Sequence, residues 1–445
     1  MANVVIIGGG LAGSLLAIFL ARRGIFVEVY ESRSDLRKTK VDAGRSINLA
    51  LSDRGIAALK RVGMDDYMLA KAVPMRGRMI HLPDGATTLL PYSGRTGEYI
   101  NSVSRSGLNA ALISEAEKYA EIRFFFNERC IGADFETATV EFASGRKINA
   151  ETIIAADGAG SAIREALKAA IPEMKTEQNF LDHGYKELHI PPADGPNKFL
   201  LEPNALHIWP RHQFMMIALP NFDGSFTCTL FIAHKGNPSF SSLNDEQSLI
   251  AFFQQEFSDA LKLMPSLVKD FFNNPTGELG TLRCNPWHLD GRALLIGDAA
   301  HAMVPFYGQG MNCAFEDVCV LDSLIEKYGF DWTKVFSEFE QLRMPQASAI
   351  QQMAEENFYE MRDATADPVF RRKRELETLL EQKYPDYFSK YSMVTFREEL
   401  PFTRARDLGN AQDRLLMEIC KNITSISELN IDEVYQRIKS LKAEN

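Results

Sequence analysis

Three glycines, Gly8, Gly10 and Gly13, stand in GxGxxG spacing directly after the β-branched run Val4 to Ile7 and at the head of an apolar helical pattern. Glycine there permits a tight turn and lets the backbone through Leu11 and Ala12 approach a pyrophosphate, which the free N–H groups at a helix start bind. Glu31 closes the next apolar run 18 residues beyond Gly13, where a carboxylate accepts a hydrogen bond from a ribose hydroxyl. The same charge repels a 2′-phosphate, so the expected ligand is NAD or FAD rather than NADP.

The segment LLIGDAAHAMVPFYGQGMNCAFEDVCVL separates those two ligands. It places Asp298 at a strand end, then a Pro and Gly loop, then a helix beginning near Gly310, which is a second binding piece for an extended ligand. Asp298 can accept from a ribityl hydroxyl. The helix start, carrying about half a positive charge, would face the pyrimidine edge of a flavin. The alternative for Asp298 is a turn cap with no ligand role.

These residues need elements to hold them. Val4 to Ile7, Leu11 to Arg23 and Val27 to Tyr30 read as strand, helix and strand, a βαβ unit of a parallel sheet. The apolar stretch Val4 to Ala21 is not a membrane span or signal peptide on this reading, since it has no basic residue ahead of it, four glycines and a change of period midway. Thr152 to Gly158 and the run from Arg292 add two buried strands. Between about 176 and 285 short alternating segments predict an antiparallel sheet inserted into the α/β domain. Beyond about 310 helices dominate. One of them, 371–384, carries Arg371, Arg372, Lys373 and Arg374 beside Glu375, Glu377 and Glu381 and reads as a solvated helix face.

The chain has 445 residues, 45% hydrophobic and 24% charged, enough for more than one core. Its 49 Lys and Arg against 59 Asp and Glu give −10, so no global positive field is present to gather nucleic acid. Six cysteines without a CxxC pair indicate neither a zinc site nor a disulfide framework and suit a reducing compartment. No metal is expected.

GxGxxG at Gly8 to Gly13, Asp157 and Gly158 in AADGAGSAIR, and Gly297 and Asp298 occur in the order of the group A flavoprotein aromatic hydroxylases of the para-hydroxybenzoate hydroxylase type. The resemblance spans essentially the whole chain. Within that group GRSINLALSDRG, MRGRMIHLPDG, EYINSVSRSGLN, SFTCTLF, PFYGQGMNCAFED, ENFYEMRD and YSMVTF look like the kynurenine 3-monooxygenase family. The resemblance implies an α/β protein with a discontinuous Rossmann-like FAD-binding domain (1–75, 100–175 and 285–325), an inserted substrate domain (76–99 and 176–284) and a C-terminal helical region (326–445) over the active site. It also implies tightly bound, non-covalent FAD, NADPH as a transient reductant and O2, with transfer of oxygen through a flavin C4a-hydroperoxide to L-kynurenine, giving 3-hydroxy-L-kynurenine in tryptophan degradation. A single GxGxxG fits, because the nicotinamide cofactor then has no Rossmann domain of its own. Such chemistry needs water excluded and a ring positioned, not a nucleophile or base, so His301 reads as a loop-packing residue.

By the same resemblance Arg78, Tyr92, Asn357 and Tyr391 hold the substrate carboxylate, which cannot be buried without partners. Phe231 and the loop Pro305, Phe306, Tyr307, Gly308, Gln309 form its walls, and Glu360 follows Asn357 at helical spacing. Arg33, Ala50, Arg105, Cys130, Gly310, Met311 and Asn312 match flavin positions. Taken alone, Arg78 alternates with Met79 and His81 in a strand-like run and reads more readily as a surface residue than as a ligand. Eukaryotic members end in a hydrophobic anchor where this sequence ends in polar residues, so a soluble, cytoplasmic bacterial type is expected, as monomer or homodimer. The alternatives are a related hydroxylase acting on another aromatic acid, a flavin carrier or reductase that inserts no oxygen, and a non-catalytic NAD-binding module.

Overall fold

A computed structural model describes residues 3–38, 48–363 and 367–441. Gly44 to Ile47 of the segment GRSINLALSDRG lie outside the described residues. Four consecutive β-branched residues, Val4 to Ile7, are fully buried in the strand Asn3–Ile7, as a parallel strand covered on both faces requires. It pairs in parallel with Phe26–Glu31 on one side and Ile153–Ala155 on the other. The complete sheet runs His288–Leu289, Ala293–Leu295, Ile153–Ala155, Asn3–Ile7, Phe26–Glu31, Ile122–Phe126. The helix Leu11–Arg22 returns between the first two neighbours and is buried from Gly13 to Ala21, because the helices Arg105–Ala116 and Gly310–Tyr328 pack on the sides that the sheet leaves.

The second large sheet has seven strands, in the order Gly277–Asn285, Lys175–Ile190, Phe226–Ala233, Met215–Pro220, Ala205–Pro210, Gly77–His81, Thr87–Pro91. It is the sheet expected from the alternating segments, with one departure. Gly77–His81 joins Ala205–Pro210 in parallel, Arg78 opposite Leu206, because it arrives from a distant part of the chain instead of through a hairpin. One face of this sheet packs on the short helices between Glu246 and Asn273, with Trp209 and Phe226 in the core. Its other face, with Ile80, Ile208, Met215 and Phe231, packs on the long helix Trp332–Asp363.

The C-terminal helices Pro368–Lys383, Lys390–Thr395 and Phe402–Lys421 lie against that same side. Here the expectation of a solvated basic face is overturned. Lys373, Glu377 and Glu381 are buried. Lys373 Nζ reaches Glu377 Oε1 at 3.0 Å and also pairs with Asp413, and Arg374 Nη1 reaches Glu377 Oε2 at 2.7 Å. Glu381 accepts from Gly94 N at 2.8 Å and Ser389 N at 3.0 Å. Charge pairs at i,i+4 look the same on an exposed helix and in a buried seam. Only the seam demands that every charge find a partner, as these do.

Candidate active site

One continuous cavity of about 1010 Å³ begins at the carboxyl ends of the parallel strands, at Ile7, Glu31, Ala156 and Ile296, and ends among Arg78, Tyr92 and Tyr391. That edge of an open α/β sheet is where ligands bind.

At the first end, Gly8 has φ +104°, and a Cβ there would stand 2.4 Å from Ala156 O. A Cβ on Gly13 would stand 1.9 Å from Gly8 O, so the third glycine lets helix and turn touch and does not itself line the cavity. Gly10 does line it, and a Cβ there would meet nothing within 4 Å, which leaves room for a ligand against the backbone. The helices Leu11–Arg22 and Gly310–Tyr328, which both start at the cavity, have no side-chain cap. Arg105–Ala116 and Ala162–Ala170 are capped by Ser104 and Ser161. The uncapped N–H groups suit phosphate and an electron-rich ring edge.

Glu31 is buried and well partnered. Its Oε2 accepts from Gly9 N at 2.8 Å, and its Oε1 accepts from Arg33 N at 2.9 Å and Arg33 Nε at 2.8 Å. Burial alone would raise its pKa, but the hydrogen bonds and charge of Arg33 more than offset that, so the carboxyl stays below its usual value and ionised. Asp157 accepts from Ala162 N at 2.9 Å through Oδ2, while its Oδ1 is buried without a partner. Burial raises its pKa. An orphaned acceptor, an open glycine and two uncapped helix starts on one wall fit an extended dinucleotide. Leu11, Ala12, Arg33, Ala50, Arg105, Cys130, Gly158, Asp298, Gly310 and Met311 line the same space. Asn312 does not. Its Nδ2 donates to Ala50 O at 2.8 Å and Gly308 O at 2.9 Å, and its Oδ1 accepts from Ser52 N at 3.1 Å.

At the other end, Arg78 is 7% exposed, which removes the surface reading. Its guanidinium lies 5.1 Å from the Tyr391 ring centroid and 5.9 Å from that of Tyr92, and the two rings stack at 4.9 Å. Burial pushes both phenols well above their usual range or in that direction, so each keeps a proton to donate. The Tyr92 hydroxyl is buried without a hydrogen-bond partner. A desolvated guanidinium beside two phenol donors has the chemistry to receive a carboxylate. Phe231, Pro305 and Phe306 add apolar wall, the two phenyl rings 5.0 Å apart.

Three expected substrate contacts sit behind that wall. Asn357 donates to Phe306 O at 2.7 Å, and Gln309 is buried with its Oε1 3.4 Å from Ser52 Oγ. Glu360 does not line the main cavity but pairs with Arg78 Nη1 at 3.3 Å. Sequence reasoning missed Tyr185, Leu206, Ile217, Leu219 and Thr229, which pave the floor. Their strand alternation was readable, but not which face would turn inward.

The family model described as FAD binding domain matches residues 1–328. The kynurenine 3-monooxygenase of Myxococcus xanthus is 45% identical over 98% of this chain and 95% of its own length. That of Stenotrophomonas maltophilia is 50% identical over 88% and 86%, and that of Dictyostelium discoideum 42% over 98% and 97%. Among solved structures, 2-methyl-3-hydroxypyridine-5-carboxylic acid oxygenase superposes with a TM-score of 0.65 at 19% identity, covering 85% of this chain and 97% of that one. A Pseudomonas aeruginosa protein in complex with 2-aminobenzoylacetate gives 0.66 at 18%, covering 81% and 97%. The structures share the fold and the sequences share the family: the chain belongs to the kynurenine 3-monooxygenase family of FAD-binding-domain proteins.

Proposed function

We propose that this protein is an FAD-dependent monooxygenase that hydroxylates L-kynurenine at ring position 3, using NADPH as transient reductant and O2 as oxygen donor. The observation that carries the substrate is the buried Arg78 beside the stacked rings of Tyr92 and Tyr391, at the far end of the cavity that begins at Gly8.

The residues fit FAD, with Gly8 to Ala12, Glu31 and Arg33 at its adenosine and pyrophosphate end and Asp157, Asp298, Gly310 and Met311 along the remainder. When bound, the flavin supplies electron transfer from NADPH and the activation of O2. The chain does the rest by placement. Arg78 and the two phenols fix the amino-acid carboxylate, which sets the depth of the aromatic ring, since positioning alone removes several kcal/mol from a barrier. Phe231, Pro305 and Phe306 keep water from the reacting edge. Asn357 and Gln309 brace the loop that carries Phe306 and Gly308. In this reading residues 326–445 cover the ring, and Glu360 holds the Arg78 guanidinium until a substrate carboxylate arrives. The cytoplasm is the compartment that six scattered, unpaired cysteines suit.

The test is NADPH oxidation by the holoenzyme with product analysis. L-kynurenine should accelerate NADPH consumption and yield 3-hydroxykynurenine carrying oxygen from labelled O2. NADPH consumption indifferent to L-kynurenine would remove the substrate, and turnover without labelled product would remove the oxygen insertion.

A further inference from the structure

Between Ala293 and Ala302 nine of ten residues are buried, and Asp298 alone is exposed, facing the cavity. The residue before it, Gly297, has φ +56° and ψ −140°, a conformation closed to other side chains. What fixes this peptide is Asp317, one turn and more into the helix Gly310–Tyr328 and 0% exposed. Asp317 Oδ2 accepts from Gly297 N at 3.0 Å and from His301 Nε2 at 2.6 Å, and Oδ1 accepts from Arg343 Nε at 2.7 Å. His301, Cys313 and Asp317 lie close enough together to suit a cation, and the Arg343 guanidinium, with Nη2 3.4 Å from Cys313 Sγ, supplies that positive charge.

The neighbouring carboxylate points the other way. Glu316 Oε2 meets Arg343 Nη1 at 2.9 Å, and Glu316 Oε1 accepts from Arg54 Nη1 at 2.9 Å. Arg54, 2% exposed, spends its other donors on carbonyls just beyond Tyr391: Val394 O at 2.9 Å through Nε and Arg397 O at 3.0 Å through Nη2. A core built for stability alone has no need of these charges, since apolar replacement of a buried ion pair is often neutral or stabilising. Each end of the network closes on backbone that presents a ligand-facing residue, Asp298 at one and Tyr391 at the other.

We propose that Glu316 and Asp317 are positioning residues that divide two sites between them, Asp317 holding the Gly297 turn for the cofactor and Glu316, through Arg54, holding the segment after Tyr391 for the substrate carboxylate. Sharing Arg343 joins the two ends. The inference rests on reading the cavity as the FAD and L-kynurenine site.

The experiment uses holoenzyme. FAD affinity is read from flavin fluorescence released on dilution, and L-kynurenine affinity from the perturbation of the flavin spectrum. Asp317→Asn should weaken FAD by about 10- to 150-fold, the range for a hydrogen bond to a charged group, and leave L-kynurenine affinity within about threefold. Glu316→Gln should do the reverse. A general loss of structure would weaken both ligands in both variants, so parallel losses overturn the proposal, as does FAD affinity within twofold of the parent in Asp317→Asn. If that variant fails to fold, Gly297→Ala disturbs the same turn without touching the charges, and unchanged FAD affinity there overturns the cofactor half. A parent protein that retains no FAD, or whose flavin spectrum ignores L-kynurenine, would fail the underlying reading instead.

Discussion

The two ends of the cavity are built by different means. The end we assign to the cofactor is mostly backbone: turn glycines, uncapped helix starts and strand ends, supplied by short contiguous motifs. The end we assign to the substrate is mostly side chain, and its three polar members come from a strand, a loop and a helix separated by 14 and 299 positions, at 78, 92 and 391. Backbone recognition tolerates change in any side chain that does not alter the path of the chain. Side-chain recognition fails one group at a time. Substitutions at the first end should therefore act all at once through geometry, and those at the second should be graded by the hydrogen bond removed.

The largest effect is expected at Gly8. A Cβ would need to stand 2.4 Å from Ala156 O at φ +104°, so Gly8→Val should move the strand end and abolish FAD retention, leaving purified protein colourless. Retained flavin at full stoichiometry would show that the turn can shift without cost. Next is Arg78→Met, which leaves Glu360, Tyr92 and Tyr391 in place but removes the cation. The KM for L-kynurenine should rise about 10- to 150-fold, with flavin content unchanged. An unchanged KM would take Arg78 out of the substrate site.

A smaller change sharpens the contrast. Tyr391→Phe keeps the ring stacked 4.9 Å from Tyr92 and 5.6 Å from Tyr307 but deletes the hydroxyl. The lost bond has a neutral donor and a charged acceptor and belongs at the low end of the range for charged groups, about 1.5 kcal/mol, or roughly a 12-fold rise in KM. If Tyr391→Phe matched Arg78→Met, the phenol would be the principal anchor and the guanidinium its support.

The same division explains what the sequence could disclose. GxGxxG, Asp157-Gly158 and Gly297-Asp298 are contiguous, and their chemistry is the chemistry of a turn, so the parallel sheet and the turns that border the cavity are legible in them. Asn312, Gln309 and Asn357 stand beside the cavity, with side-chain hydrogen bonds to neighbouring protein groups. A motif fixes where a backbone runs, while whether an amide faces a ligand or a neighbouring carbonyl depends on elements far away in the chain, here Ala50, Ser52 and Phe306. Arg78 was ambiguous from alternation because its burial is made by a helix some 300 positions on. The 371–384 helix misled for a related reason: pairing along a helix gives no sign of Asp413, the partner on another helix that makes burial of Lys373 possible.

The smallest expected effect lies on the seam between the two ends. Asp53 opens the helix Asp53–Arg61, next to the segment that Arg54 fastens, and its carboxyl is pushed up to about 6 by burial and then by the charges of Glu398 and Glu98. With a folded-state value above the ordinary carboxylate range, the folded protein holds a proton that the unfolded chain has released between about pH 4 and about pH 6. Stability contributed by this group is therefore full below about pH 4, falls as pH rises through that window and stays reduced above it. Asp53→Asn removes the titration. Its melting temperature relative to the parent should be higher at pH 7.5 than at pH 4.5, by roughly 2 °C given how little one partly exposed group moves a chain of this size. A difference that does not vary with pH would mean that the carboxylate is solvated in the folded protein, and that the seam between the cofactor wall and the C-terminal cap is looser than the packing around Arg54 suggests.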